Sequence, residues 1–174
     1  MSSSTGHPAA SSEHAEFTAI VQAPVERVFE WLDDQTRLVQ HMSKRSWTMG
    51  WGKMEVELDV GRSRAVGSHI VLRGRVFGIG LYLEEVVIAH EPPRKKSWET
   101  GGEPRLLVIG SYRMGFDLES EGSTARLRVS IGYQLPKKGI SRVLGRLFGR
   151  SYARWCVRQM AEDAQRSFAR HSPR

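Results

Sequence analysis

Two tyrosines and a histidine carry the residue types most suited to chemistry. Tyr112 lies in the alternating run Leu106, Val108, Gly110, Tyr112, Met114, Phe116, Leu118, and Tyr133 in the run Ala125, Leu127, Val129, Ile131, Tyr133, Leu135. A period of two puts each tyrosine on the apolar face of a strand, where its hydroxyl points inward and needs a partner. His41 sits at the end of a short helical stretch marked by Leu38, Val39 and Met42. A histidine and a tyrosine beside a bound ketone could transfer a proton or orient an enolate, as a cyclase requires. Against that stands a plainer account: buried tyrosines usually bond a backbone carbonyl, and a histidine at a helix end is usually solvated. Tyr112 and His41 are the catalytic candidates, and catalysis is the less favoured reading of them.

The remaining reactive side chains offer less. His69 alternates with Ile70 and so faces outward, His90 ends a strand before Pro92, and His7, His14 and His171 fall in the tails. No pair has metal-ligand spacing, so neither a metal nor a cofactor is expected. Glu84 and Glu85 point to opposite faces of their strand. Cys156, the single cysteine, has no evident base beside it and borders an apolar face, which reads as an inert core thiol. Gly78 and Gly80 lie in a hairpin without the helix that a dinucleotide site needs.

The charge is uneven. Lys plus Arg is 26 and Asp plus Glu 19, a net +7, yet the segment from Lys137 to Arg174 holds two Lys and eight Arg against two acids, +8, leaving −1 for everything before it. Within it Arg142, Arg146, Arg150, Arg154 and Arg158 recur every fourth residue. Ile140, Val143, Leu144, Leu147 and Phe148 form an apolar stripe with Arg142 and Arg146 opposite, the pattern of a helix at a membrane interface. Arg142, Arg146 and Arg150 are therefore the candidate anionic-surface residues; capping a pocket, packing on another subunit or a solvated face are the alternatives. Nucleic acid is the weaker option, because aromatics are not interleaved with the basic residues. Trp155 falls on the polar side of the next helical segment, exposed or held in a contact that the period does not reveal.

These residues need elements to hold them. At 174 residues, with 40% apolar and 26% charged residues, the chain has the make-up of one soluble domain that buries roughly 70% of its unfolded surface without a disulfide or metal. No run approaches a membrane span, and residues 1–14 read as a disordered tail without signal-peptide features, so a cytoplasmic protein is expected, peripheral to the membrane if the basic segment engages one. The domain then spans 15–171. Phe17 to Gln22 reads as a strand, and Pro24 fits the first position of a helix carrying Val25, Val28, Phe29 and Leu32 on one stripe. The second short helix follows. From Met54 the period becomes two: Met54, Val56, Leu58 and Val60 alternate with acids, and strands follow at 68–76, 81–89 and 96–100, with a turn at 101–104. The two long runs holding Tyr112 and Tyr133 complete the strands. A last stripe, Ala153, Val157, Met160, Ala161, Ala164 and Phe168, points about 110° from the Ile140 stripe at 100° per residue, which predicts a break or a change of partner near Gly149. The order implies an α+β fold: a curved seven-stranded antiparallel sheet wrapped around a long C-terminal helix, with two short helices after the first strand.

The strand followed by Ala23-Pro24-Val25-Glu26-Arg27-Val28-Phe29-Glu30-Trp31-Leu32 resembles the opening of the START/SRPBCC superfamily, which includes the polyketide cyclase/dehydrase family. Gly67-Ser68, Glu91-Pro92-Pro93-Arg94, Trp98-Glu99-Thr100 and Tyr112-Arg113-Met114 fit it too, over residues 15–170. The resemblance implies the helix-grip fold and an internal pocket for a hydrophobic ligand, with His41 near its mouth. Inward strand faces, the inner side of the last helix and the mouth helices nominate Leu38, His41, Met42, Ile70, Leu72, Trp98, Tyr112, Met114, Phe116, Tyr133, Val157 and Met160 as its lining, large and soft enough for an apolar guest. For any one of them alone, filling the core is the favoured reading; as a set they suit a ligand. The leading reading is non-catalytic binding or carriage of a lipid, isoprenoid or aromatic. The alternatives are an aromatase/cyclase-type enzyme acting on a polyketide-like substrate, and an accessory protein recruited to a membrane or protein partner by its basic segment. Oligomeric state stays open.

Overall fold

A computed structural model of the chain describes residues 13–34, 54–58, 64–76 and 79–169. In chain order the described elements are β1 (Glu13–Val21), α1 (Val25–Asp33), β2 (Met54–Leu58), β3 (His69–Val76), β4 (Ile79–Glu91), β5 (Lys95–Arg105), β6 (Tyr112–Glu121), β7 (Thr124–Tyr133) and α2 (Gly139–Ala169). The strands form one antiparallel sheet in the order β1-β7-β6-β5-β4-β3-β2, so the first strand closes onto the last. The stretch predicted as the second short helix lies outside the described residues.

Alternation builds the sheet. In β7, Ala125, Leu127, Val129, Ile131 and Tyr133 are buried, and in β1 Ala15, Ala19 and Val21 face the same side. Onto this side pack α1, through Val25, Val28, Phe29 and Leu32, and the second half of α2, through Ala153, Val157, Met160, Ala161 and Ala164. Phe29 meets Phe116 edge-on at 5.6 Å, and Trp31 meets Phe168 at 6.4 Å. Full burial of such side chains stabilises by about 1.5–3 kcal/mol each. A separate, smaller cluster, Ile70, Leu72 and Leu83, lies across β3 and β4, with Leu106 and Tyr112 packed against both.

Two local expectations are corrected, and a third resolves to one of its two alternatives. The turn expected at 101–104 is a continuation of β5. Its ladder with β4 shifts register between the Glu84–Gly101 and Tyr82–Arg105 pairs, and Gly102, at φ +59°, absorbs the irregularity as a bulge that lets pairing resume. The strand expected from Leu106 begins only at Tyr112, because residues 106–111 leave the β5 ladder and the Val108 carbonyl comes to lie beneath α2. Of the break or change of partner expected near Gly149, the second is what occurs: α2 is one unbroken helix of 31 residues whose packing changes there.

The cause of that change is a pair of glycines. A Cβ on Gly145 would lie 2.6 Å from Pro136 Cδ and 2.9 Å from the Val108 carbonyl oxygen; one on Gly149 would lie 2.8 Å from Leu135 Cδ2. The first half of α2 thus approaches the β7 exit by its bare backbone, and its apolar stripe turns to solvent.

Candidate functional site

Strand β4 buries Leu83, Glu85 and Val87 in one inward row. A carboxyl group in an apolar row needs a partner, and Glu85 has one: the Tyr112 hydroxyl donates a hydrogen bond to Glu85 Oε1. Strand β5 lies between them. Its Thr100 pairs with Glu85 across the ladder and accepts the Tyr112 backbone N–H at 3.2 Å through Oγ1, holding the tyrosine in place. Burial pushes the Glu85 carboxyl above the ordinary carboxylate range; the Tyr112 hydroxyl, the Trp98 indole and the Lys96 charge pull it back in part. Burial and the neighbouring Glu85 hold the Tyr112 phenol well above its usual value, so it stays protonated and acts as a donor.

The helix supplies the facing wall. Tyr152 and Cys156 both raise the Tyr112 phenol electrostatically, so this α2 face looks toward the pair. Burial pushes the Cys156 thiol up to about 11 and, with Cys156 beside it, drives the Tyr152 phenol upward as well. One turn further on, the Gln159 amide nitrogen is buried with no hydrogen-bond partner among the described residues. A donor in that state is unfavourable unless something accepts from it.

A second polar cluster lies beneath α1. Lys96, fully buried, donates to Asp33 Oδ1 at 2.6 Å and to the Asp33 carbonyl at 3.3 Å. His90 Nε2 lies 3.1 Å from the same carboxylate oxygen, and Arg64 Nε lies 3.8 Å from the other. Burial lowers the Lys96 ammonium from its usual value, against the Asp33 hydrogen bond and charge, which raise it. The cluster fastens the end of α1 to β4 and β5, and its ammonium reaches Glu85 electrostatically.

Of the residues nominated from sequence, the structure gathers Ile70, Leu72, Trp98, Tyr112 and Met114 on the two apolar clusters that flank Glu85. Phe116, Val157 and Met160 are buried in the larger core. Tyr133 is also buried but runs beneath Gly149, and Arg150 and Arg154 act on its phenol; it does not join the Glu85 pair. Leu38, His41 and Met42 lie outside the described residues. His69 faces outward, 2.8 Å from Glu84. Arg142, Arg146 and Arg150 are exposed on α2. Sequence reasoning passed over Glu85, Lys96, Asp33 and Gln159. A charge interrupting the apolar row of β4 was the available signal for Glu85; nothing local pointed to the others.

A separate cleft of about 550 Å³ opens between the β5–β6 connection and the start of α2, lined by Leu81, Arg105, Leu107, Ile109, Leu135 and Lys138 among others. None of the described residues nominated from sequence lines it.

No protein-family model and no curated protein matches the chain by sequence. Solved structures do match by shape. Norcoclaurine synthase from Thalictrum flavum superposes with a TM-score of 0.62 at 11% identity, covering 98% of this chain and 98% of that one. An aromatase/cyclase from Streptomyces sp. R1128 gives 0.55 at 14% identity, covering 90% and 95%. A protein from Arthrobacter aurescens gives 0.59 at 15% identity, covering 93% and 92%. The closed strand order, the gripped helix and these superpositions together show that the chain has the helix-grip fold.

Proposed function

We propose that the protein binds a hydrophobic small molecule, a lipid, isoprenoid or aromatic, between the inward face of β3–β6 and α2. The guest's polar end would lie at Glu85 and Tyr112. The observation that carries this reading is the Tyr112–Glu85 pair, a polar group buried between two apolar clusters. The Gln159 amide, without a partner among the described residues, supports it, since an acceptor oxygen on the guest would satisfy that donor. Native mass spectrometry of the purified protein tests for a retained apolar guest. A fluorescent apolar probe should bind saturably, and Met114→Arg should abolish binding by placing a charge in a desolvated site. Absence of saturable binding by the parent protein overturns the reading.

Catalysis is the second reading, and the same pair favours it. A buried carboxyl held above the ordinary carboxylate range suits a general base, and a phenol that stays protonated suits stabilisation of an enolate oxygen. Among the solved structures sharing the fold are an aromatase/cyclase and a norcoclaurine synthase bound to dopamine and hydroxybenzaldehyde. On this reading Tyr112→Phe or Glu85→Gln lowers turnover of a polyketide-like substrate by about 10²-fold with the fold intact. Unchanged turnover in both variants removes the catalytic reading and leaves binding standing.

A further inference from the structure

The first half of α2 exposes large apolar side chains that a soluble helix normally buries. Ile140 is 69% exposed, Val143 57%, Leu147 67%, Phe148 54% and, two turns on, Trp155 40%. At 100° per residue, they fall on one side of the helix. This orientation is imposed from behind, because Gly145 and Gly149 press the opposite face against the Val108 carbonyl, Pro136 and Leu135. The stripe cannot roll inward without driving side chains into backbone.

The charge around the stripe has a single sign. From Lys137 to Arg158 there are two Lys, five Arg and no acid. Among the described residues no carboxylate pairs with Arg142, Arg146, Arg150 or Arg154; the first such pair on the helix is Arg158 with Glu162 at 2.8 Å. The described helices include none long and apolar enough to cross a membrane. A fixed apolar stripe, an aromatic with a polar N–H at its far end and a border of unpaired guanidinium groups match a surface that is apolar inside and anionic at its boundary.

We propose that the Gly139–Trp155 half of α2 docks flat on an anionic lipid bilayer, with Leu147 and Phe148 inserted and Arg142, Arg146 and Arg150 on the lipid phosphates. Lys137 and Lys138, just before this half-helix, and Ser141, in its first turn, also line the cleft of about 550 Å³, so docking brings the cleft to the lipid surface. The docking stands independently of what the Glu85 site binds.

Flotation of the full chain with vesicles of equal parts phosphatidylglycerol and phosphatidylcholine, against pure phosphatidylcholine, tests the proposal. The chain should float with the anionic vesicles at low ionic strength and dissociate progressively as salt is added. Each basic residue near the surface contributes about a fivefold factor, so Arg142→Glu with Arg146→Glu should weaken binding by at least about 25-fold. Leu147→Ser with Phe148→Ser should weaken it at every salt concentration. All four positions are exposed, so thermal melts of the variants should match the parent and exclude misfolding as the cause. The proposal is overturned if the parent ignores anionic vesicles at low salt or if the charge reversals leave binding unchanged. It is equally overturned if sedimentation shows a dimer that Leu147→Ser with Phe148→Ser dissociates, since a second copy then covers the stripe.

Discussion

Tyr112 on β6 reaches across β5 to donate its phenolic proton to Glu85 on β4, tying together strands that are not neighbours in the sheet. The bond places the polar group of the interior where the two apolar clusters meet, and Tyr112 belongs to the edge of both.

That relationship sets a pH dependence. Burial raises the Glu85 carboxyl above its ordinary 4.5, so the stability it contributes is complete below that value and is lost as pH rises through the higher folded value. As pH rises above about 4.5, urea midpoints should therefore fall less in Glu85→Gln than in the parent. Tyr112→Phe removes a donor that favours the ionised form, so the carboxyl resonance of Glu85 should titrate at still higher pH. A Glu85 titration unmoved by Tyr112→Phe would contradict the bond.

The Lys96–Asp33 contact should behave as a buried ion pair. Lys96→Met leaves the buried Asp33 carboxylate without its nearest donor and should cost about 3–5 kcal/mol in chemical denaturation. Adding Asp33→Leu should recover much of that loss, because the stranded charge disappears with its partner. Additive losses in the double variant would show that the two side chains do not act as a pair.

Gly145→Ala is a sharp test of how α2 is seated. In a free helix the change would stabilise by roughly 1 kcal/mol. Here the new methyl would meet Pro136 Cδ at 2.6 Å and the Val108 carbonyl oxygen at 2.9 Å. Overpacking against backbone and a proline ring should reverse the sign, for a net loss of about 1–2 kcal/mol in the thermal melt. A stabilised variant would mean that the helix does not approach the chain so closely.

Cys156 should be chemically quiet. With its thiol pushed up to about 11, the thiolate fraction at pH 8 is roughly a thousandth. Reaction with a disulfide reagent should be at least about 100-fold slower in the native protein than in urea. Comparable rates in the two states would place the thiol outside the packed interior.

Much of the fold was legible because it rests on local periodicity. The stripe of Val25, Val28, Phe29 and Leu32, the alternation through Tyr133 and the stripe from Ala153 to Ala164 all bury the residues their spacing nominates. Strand ends were less legible: Gly101 and Gly102 read as a turn, yet the same freedom of φ serves a bulge inside a longer strand. The site was half legible. The inward aim of Tyr112 followed from its strand, but its partner lies 27 residues away, and Lys96 and Asp33 are 63 apart.

Periodicity specifies that an element has an apolar side, because that depends only on spacing along the chain. It does not specify what that side meets. In α2 the residues after Gly149 bury their apolar face against β1 and β7, while those before it turn theirs to solvent. Close backbone approach at Gly145 and Gly149 outweighs burial of Leu147 and Phe148 there. Likewise, the buried state of Glu85 follows from the curvature that lays Tyr112, Trp98 and α2 over it. The amino-acid order carries the strands, the helices and their apolar faces; the folded packing alone turns one acid into a site and one helix face outward.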